Sequence, residues 1–184
     1  MKKGSPEVKE IVQRLKQLEH EGYEFEAAEA SFELLIRKAL NLHADFFTLQ
    51  EYRCSFRRIR NGAEGEALET CEATVKLEVL GARQYTVDEG DGPVNALDGA
   101  LRKALEPFYP AIRNIRLTDF KVRILDGERG TAAKTRVLID STDGEDHWST
   151  VGVSTNIIRA SWLALVDSIE YYLSTQADRN GSKS

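Results

Sequence analysis

Three carboxylates, Asp88, Glu89 and Asp91, lie close together in a segment that also contains Gly90 and Gly92. Carboxylates this close could serve as a general acid and a general base. The segment contains no histidine and no metal-ligand spacing, so it is more typical of a solvated loop whose negative charge favours a helix N-terminus. We therefore expect no catalysis from this loop, and a small enzyme that uses it stays an alternative.

Histidine and cysteine could supply metal or nucleophilic chemistry elsewhere in the chain. The histidines, His20, His43 and His147, lack the H-x-H or H-E-x-x-H spacing that would place two imidazoles on one metal ion. Cys54 and Cys71 are too far apart for a zinc knuckle or a C-x-x-C redox pair, and we expect both to be buried strand thiols. The sequence predicts neither a metal site nor a cofactor in this chain.

Two glycine-containing loops, at 89–96 and 151–157, each lead from a predicted strand into a predicted helix. The first amides of a helix lack intrahelical partners and lie at the positive end of the macrodipole, so such a start can hold an anion. Apolar residues and carboxylates lie nearby, which favours a ligand with a carboxylate, an ammonium group and an apolar tail, such as a branched-chain amino acid. Ordinary turn chemistry is the alternative explanation of Gly-Pro here, and no G-x-G-x-x-G fingerprint indicates a nucleotide.

The elements that must position these loops follow from hydrophobic periodicity. Apolar residues at helical spacing predict two helices in the first 45 residues, separated by a break at Gly22. After this arm, period-two alternation and turn signals predict two successive β-β-β-α units, at 46–108 and 112–174. A shift of 61 residues aligns their helices, placing Asn95 on Asn156 and Leu101 on Trp162, and indicates an internal duplication.

The predicted fold class is therefore α+β, with a duplicated β-β-β-α unit of pseudo-twofold symmetry preceded by a helical linker arm. We assign residues 1–45 to the helical linker subdomain and 46–174 to the domain formed by the two units. The polar residues 175–184 are expected to form a disordered tail.

Composition limits the classes of function. The chain has 184 residues, fewer than the roughly 250 of a (β/α)₈ barrel. Its 25 basic and 30 acidic residues give a net charge of −5, which argues against nucleic-acid binding. No apolar run approaches the roughly 20 residues of a membrane span, and no signal-peptide core follows Met1, so we expect a cytoplasmic protein that does not enter membranes.

Several motifs resemble the C-terminal regulatory domain of the 2-isopropylmalate synthase and citramalate synthase family, with the citramalate synthase branch the more similar. They are EGDGPVNAL at 89–97, ALEPFYP at 104–110, KVRILDG at 121–127, GVSTNII at 152–158 and ASW at 160–162. The stretch LEHEGYEFEAAEASF at 18–32 is similar to the linker subdomain that precedes this domain in the family.

The resemblance implies an allosteric module that forms a homodimer and binds a branched-chain amino acid for feedback inhibition. Isoleucine is the effector expected in the citramalate synthase branch. The resemblance also implies an upstream catalytic barrel that uses acetyl-CoA and a divalent metal. None of the barrel's motifs occurs here, so we expect no catalysis from this chain alone.

The effector-binding positions are carried over from the family's two loops. They are Gly90, Asp91, Gly92, Pro93, Asn95, Ala96, Gly152, Val153, Ser154, Thr155 and Asn156. Asn95 and Asn156 stand where many relatives have Asp, so the partner of the effector ammonium group is left open. The leucine-binding domain of a 2-isopropylmalate synthase and a dimerisation module without an effector stay alternatives.

Overall fold

The computed structural model describes residues 6–60 and 67–181, which form four α-helices and six β-strands. The predicted N-cap Ser5 and the last three residues lie outside this described part. The elements are α1 (Pro6–Glu21), α2 (Glu29–Ala39), β1 (Thr48–Arg60), β2 (Ala67–Val79), β3 (Ala82–Gly90), α3 (Pro93–Leu105), β4 (Arg116–Ile124), β5 (Thr135–Thr142), β6 (His147–Ser154) and α4 (Ile157–Gly181).

The chain divides into two compact units. One unit is Asp45–Arg113, and the other combines Met1–Ala44 with Asn114–Ser184. Each contains an antiparallel three-stranded sheet followed by a helix, in the order β1-β2-β3-α3 or β4-β5-β6-α4. The predicted α+β class and the duplicated β-β-β-α unit are thus confirmed. The boundaries predicted for the linker and the two repeats stay predictions. The arm belongs to the same compact unit as the second repeat.

The core of Asp45–Arg113 forms where one face of the sheet meets α3. Alternate β2 residues point to this face, as the period of two predicts, and are fully buried: Cys71, Ala73, Val75, Leu77 and Val79. They meet the buried stripe of α3, which consists of Ala96, Leu97, Ala100, Leu101, Ala104 and Leu105. The Thr86 hydroxyl on β3 donates to the Ala100 carbonyl at 2.7 Å and so joins the strand to the middle of the helix.

The second unit repeats this packing around a core that contains polar side chains. Trp148 on β6 is buried, and its Nε1 donates to the Ser168 hydroxyl at 2.9 Å. Ser168 also shares a hydrogen bond with Ser141 on β5 at 2.8 Å, so these buried polar groups satisfy one another. Cys71 is buried as predicted, whereas Cys54 is half-buried.

The two repeats superpose at an offset of 64 residues. Thr150 lies 64 positions after Thr86 and donates to the Ala164 carbonyl at 2.8 Å, the counterpart of the bond from Thr86 to Ala100. At this offset the six buried α3 positions all fall on buried α4 positions, which are Ala160, Ser161, Ala164, Leu165, Ser168 and Ile169. The predicted offset of 61 is therefore three residues too small. Three residues are nearly one helical turn, so the apolar stripes still overlap at the wrong offset.

The arm consists of α1, a turn at Gly22 and α2. Gly22 has φ 111°, and its amide bonds back to the Leu18 carbonyl at 3.1 Å, which ends α1 at the predicted break. The turn is anchored to β5, because Arg136 Nε donates to the Gly22 carbonyl at 2.6 Å and its guanidinium pairs with Glu24. Helix α2 packs on α4 and β6, as expected for an apolar stripe that cannot be buried alone.

The structure differs from the predicted disordered tail, because α4 continues to Gly181. No proline or glycine interrupts residues 175–180, and two ion pairs hold this polar end of the helix. Arg37 donates to Asp178 at 2.6 Å, and Arg179 pairs with Asp146. The polar composition thus marks a solvated helix face. In the described ranges, no helix combines the length and apolar character that crossing a membrane requires.

Candidate ligand-binding loops

The first loop brings β3 into α3 and leaves the start of that helix uncapped. Strand β3 ends at Gly90, Gly92 is the N-cap, and Pro93 is the first helical residue. No side chain caps α3, and proline has no N–H. The amides of Val94 and Asn95 therefore keep the anion-binding capacity of an open helix start.

The two glycines of this loop have different roles. A Cβ atom on Gly90 would lie 2.7 Å from the Ala96 amide nitrogen, so this glycine allows β3 to approach the helix closely. A Cβ on Gly92 would meet nothing within 4 Å. Asn95 is exposed, and its Oδ1 accepts the Asp91 amide at 3.3 Å. Gly92 therefore leaves backbone open to a ligand, and it can be substituted without a clash.

The second loop brings β6 into α4, whose start is already capped. Asn156 Oδ1 accepts the amides of Ile158 at 2.8 Å and Arg159 at 3.3 Å. The Ser154 hydroxyl accepts the Asn156 amide at 3.1 Å and holds the loop in shape. At the observed offset, Asn156 is the counterpart of Gly92. The repeats thus contain one open and one closed helix start.

Asn156→Ala is expected to destabilise the chain by about 1 kcal/mol, because it removes the acceptor for two helix-start amides. Urea unfolding followed by circular dichroism measures this difference. Asn156→Asp keeps an acceptor oxygen at the N-cap and should retain most of the stability. Equal unfolding midpoints for the alanine variant and the unchanged chain would contradict the capping role.

Of the remaining residues of the second loop, some pack inside the unit and others lie at the surface. Gly152 is buried on β6, and a Cβ there would clash with the Ala160 carbonyl oxygen and lie 3.0 Å from the Ala164 nitrogen. Val153 is half-buried, whereas Thr155 is exposed. Gly152 therefore permits close contact between α4 and its sheet.

The two predicted loops lie in different compact units, and each helix start is formed by residues of its own unit.

One of the three carboxylates of the first loop, Asp88, forms an ion pair. Lys103 Nζ donates to Asp88 at 2.8 Å, and this interaction lowers the pKa of Asp88 despite some desolvation. Asp88 thus stays ionised and is a poor proton donor, while Glu89 and Asp91 are exposed. Within the described ranges, no three His, Cys, Asp or Glu side chains are grouped as a metal ion would require.

The sequence did not reveal how the arm binds the strand that leads into the second loop. The outward amides of Ser149 and Val151 on β6 donate to Glu29 at 3.1 Å and to the Ser31 hydroxyl at 3.0 Å. The Val153 backbone hydrogen-bonds the Tyr23 hydroxyl. Helical spacing identifies the arm's apolar stripe but carries no signal for these bonds between side chains and backbone.

Comparisons with known proteins identify the family of this chain. The family model described as LeuA allosteric (dimerisation) domain matches residues 26–173, which include both loops. An (R)-citramalate synthase of Aquifex aeolicus is 53% identical over 92% of this chain, and one of Geobacter sulfurreducens is 48% identical over 97%. A 2-isopropylmalate synthase of Aquifex aeolicus is 36% identical over 53% of this chain.

The chain spans only part of these relatives. It covers 31% of the Aquifex citramalate synthase and 33% of the Geobacter protein. The match to the family model, in contrast, extends over most of the chain and includes α2, both sheets and α3. We conclude that the chain belongs to the LeuA allosteric (dimerisation) domain family.

Proposed function

We propose that this chain is the regulatory domain of a citramalate synthase-like enzyme, in which it binds a branched-chain amino acid for feedback inhibition and mediates dimerisation. Isoleucine is the favoured effector, because the relatives that cover most of the chain are citramalate synthases. In this proposal the parent enzyme is an acetyl-CoA-dependent acyltransferase whose catalytic barrel and divalent metal lie outside this chain.

The open start of α3 is the observation that carries the proposed effector binding. The effector carboxylate would accept hydrogen bonds from the Val94 and Asn95 amides, which no side chain caps. Gly92 leaves room beside this start, and Asp91 is exposed in the same loop, where its carboxylate could face an ammonium group. The side chain of the effector would then lie against apolar residues such as Val94.

The proposed inhibition also needs a connection between the effector and the rest of the enzyme. Feedback regulation requires only about 1–3 kcal/mol of coupling between two sites. The arm would carry such coupling from the second loop within its own compact unit, because Glu29, Ser31 and Tyr23 bind the strand that continues into that loop.

The proposed effector binding is tested by calorimetric titration of the chain with isoleucine, leucine and valine, and by thermal unfolding with and without each amino acid. We expect isoleucine to bind most tightly, and at about 100 times its Kd to add roughly 2.7 kcal/mol to the free energy of unfolding. Gly92→Val should abolish this gain, because the added side chain covers the open amides without a clash inside the fold. Gly127→Val is the matched control, since a Cβ there also meets nothing within 4 Å.

The same two measurements separate the alternatives. Tighter binding of leucine would favour the regulatory domain of a 2-isopropylmalate synthase, which the match to the Aquifex 2-isopropylmalate synthase keeps open. No stabilisation by any of the three amino acids, together with a dimer by light scattering, would leave a dimerisation module without an effector. Undiminished binding by Gly92→Val would refute the assignment to the α3 start.

A further inference from the structure

A small cavity lies where the arm meets α4, within the unit that contains both. Its volume is about 160 Å³. The lining residues come from α1, the following turn, α2 and α4, and they are Arg14, Leu18, Tyr23, Phe25, Ser31, Leu34, Leu35, Lys38 and Asp167. None of them belongs to the two glycine-containing loops.

Opposite charges line this cavity. Asp167 on α4 accepts a hydrogen bond from the Ser31 hydroxyl at 2.7 Å. Lys38 is engaged by Glu170 at 2.8 Å. Arg14 forms no ion pair with any residue in the described ranges, so its guanidinium is available to an anionic group. The cavity therefore offers one carboxylate and one available cation.

Apolar side chains form one wall of the cavity, which is small. Leu18 and Leu34 are buried, and Phe25 and Leu35 complete the apolar wall. A volume of about 160 Å³ is comparable to that of a molecule of roughly six to eight heavy atoms, part of which would stay exposed because this space is open to solvent. A ligand with only a positive charge would interact with Asp167 but gain nothing from the Arg14 guanidinium. A ligand with only a negative charge would meet the Asp167 carboxylate.

We propose that this cavity binds a small aliphatic α-amino acid, with its ammonium group on Asp167, its carboxylate on Arg14 and its side chain against Leu18 and Leu34. The site is independent of the open α3 start, because every lining residue belongs to the other compact unit. It goes beyond the proposed effector site and would give the chain a second amino-acid site at the base of the arm.

Binding of an amino acid at this site is expected to release protons, and this release can be measured. Burial raises the pKa of Asp167 to about 6, although the Ser31 hydrogen bond and the Lys38 charge act in the opposite direction and Glu170 adds to the rise. The other titratable groups that line the cavity are Arg14 and Tyr23, and burial also raises the pKa of the Tyr23 hydroxyl. An ammonium group on Asp167 stabilises its ionised form. Binding at pH 6 should therefore expel a fraction of a proton.

The test is calorimetric titration of the full chain with L-valine at pH 6 in two buffers of different ionisation enthalpy. We expect binding heat that differs between the buffers in the direction of proton release. Isobutylamine and isovalerate each lack one of the two charges of valine, and both should bind at least tenfold more weakly. Equal binding of either compound would overturn the zwitterion assignment.

Variants separate this cavity from the loops. Asp167→Asn and Arg14→Gln should each weaken valine binding at the cavity at least tenfold, and Asp167→Asn should also abolish the proton release. Asp178→Asn is the control, since it changes an exposed carboxylate on the same helix. Arg14 is exposed, so its variant tests the site even where the Asp167 variant is less stable.

The outcomes for the two proposed sites are distinguishable. If Gly92→Val removes all valine heat and the cavity variants remove none, the cavity proposal fails while the loop proposal stands. If the cavity variants remove all valine heat and Gly92→Val removes none, valine binds only at the cavity, and the isoleucine titration of Gly92→Val decides the loop proposal. An absence of valine binding overturns the cavity site.

Discussion

Gly152→Ala is expected to be strongly destabilising, by about 3 kcal/mol. The added Cβ would clash with the Ala160 carbonyl oxygen and lie 3.0 Å from the Ala164 nitrogen, and both are backbone atoms of α4. A helix backbone cannot swing aside as a side chain can, so α4 would have to move away from its sheet. Urea unfolding followed by tryptophan fluorescence measures the loss, because Trp148 and Trp162 are buried in the same unit.

Two other glycines provide matched controls for this prediction. A Cβ on Gly99 would clash with the Asp88 side chain and lie 2.9 Å from its Cγ, but a carboxylate can rotate away, so Gly99→Ala should cost less. A Cβ on Gly127 would meet nothing within 4 Å, and Gly127→Ala should be nearly neutral. Equal unfolding free energies for all three variants would show that close packing of α4 does not set the requirement for glycine.

Asp167→Asn is expected to change how stability depends on pH. The pKa of this carboxyl is raised from 3.8 to about 6, mainly by burial, so the folded state favours the protonated form. The neutral acid therefore contributes stability that is fully present below about pH 3.8 and is lost as the pH rises through about 6. At about 1.36 kcal/mol per pKa unit, the difference is on the order of 3 kcal/mol.

The measurement is urea unfolding of both proteins between pH 3.5 and pH 7.5, expressed as the difference in unfolding free energy. We expect this difference to move in favour of Asp167→Asn as the pH rises through the window, because asparagine carries no charge. A difference that is flat across the window would mean that Asp167 is solvated well enough to ionise without cost.

Much of the fold could be predicted from periodicity. Alternation along β2 identified the residues that are fully buried, and the apolar spacing of α3 identified the stripe that covers them. The repeat itself was also visible, because each unit needs the same pattern to bury one sheet face. The predicted offset was wrong by three residues, because a shift of nearly one helical turn leaves the apolar stripes overlapping. The hydrogen bonds from Thr86 and Thr150 to the helices fix the correct offset of 64.

The candidate site was less predictable, because it depends on whether individual side chains bind the amides at the helix starts. Gly92 and Asn156 occupy equivalent N-cap positions, yet one leaves its helix open and the other closes it. Asparagine is a common N-cap residue, but the sequence alone does not show whether its side chain or a ligand accepts the hydrogen bonds of the first helical amides. The arm cavity was not foreseen either, since Arg14 and Asp167 are more than 150 residues apart.

The arm's hydrogen bonds to β6 affect whether this strand can pair with a strand of another molecule. In the second sheet β6 is an edge strand, and its outward amides would otherwise serve as a template for a strand from another molecule. Glu29, Ser31 and Tyr23 occupy these donors in succession. The opposite edge, β4, instead carries Lys121 and Arg123, and charged side chains discourage such pairing. The arm therefore protects the β6 edge of this sheet from pairing with a strand of another molecule.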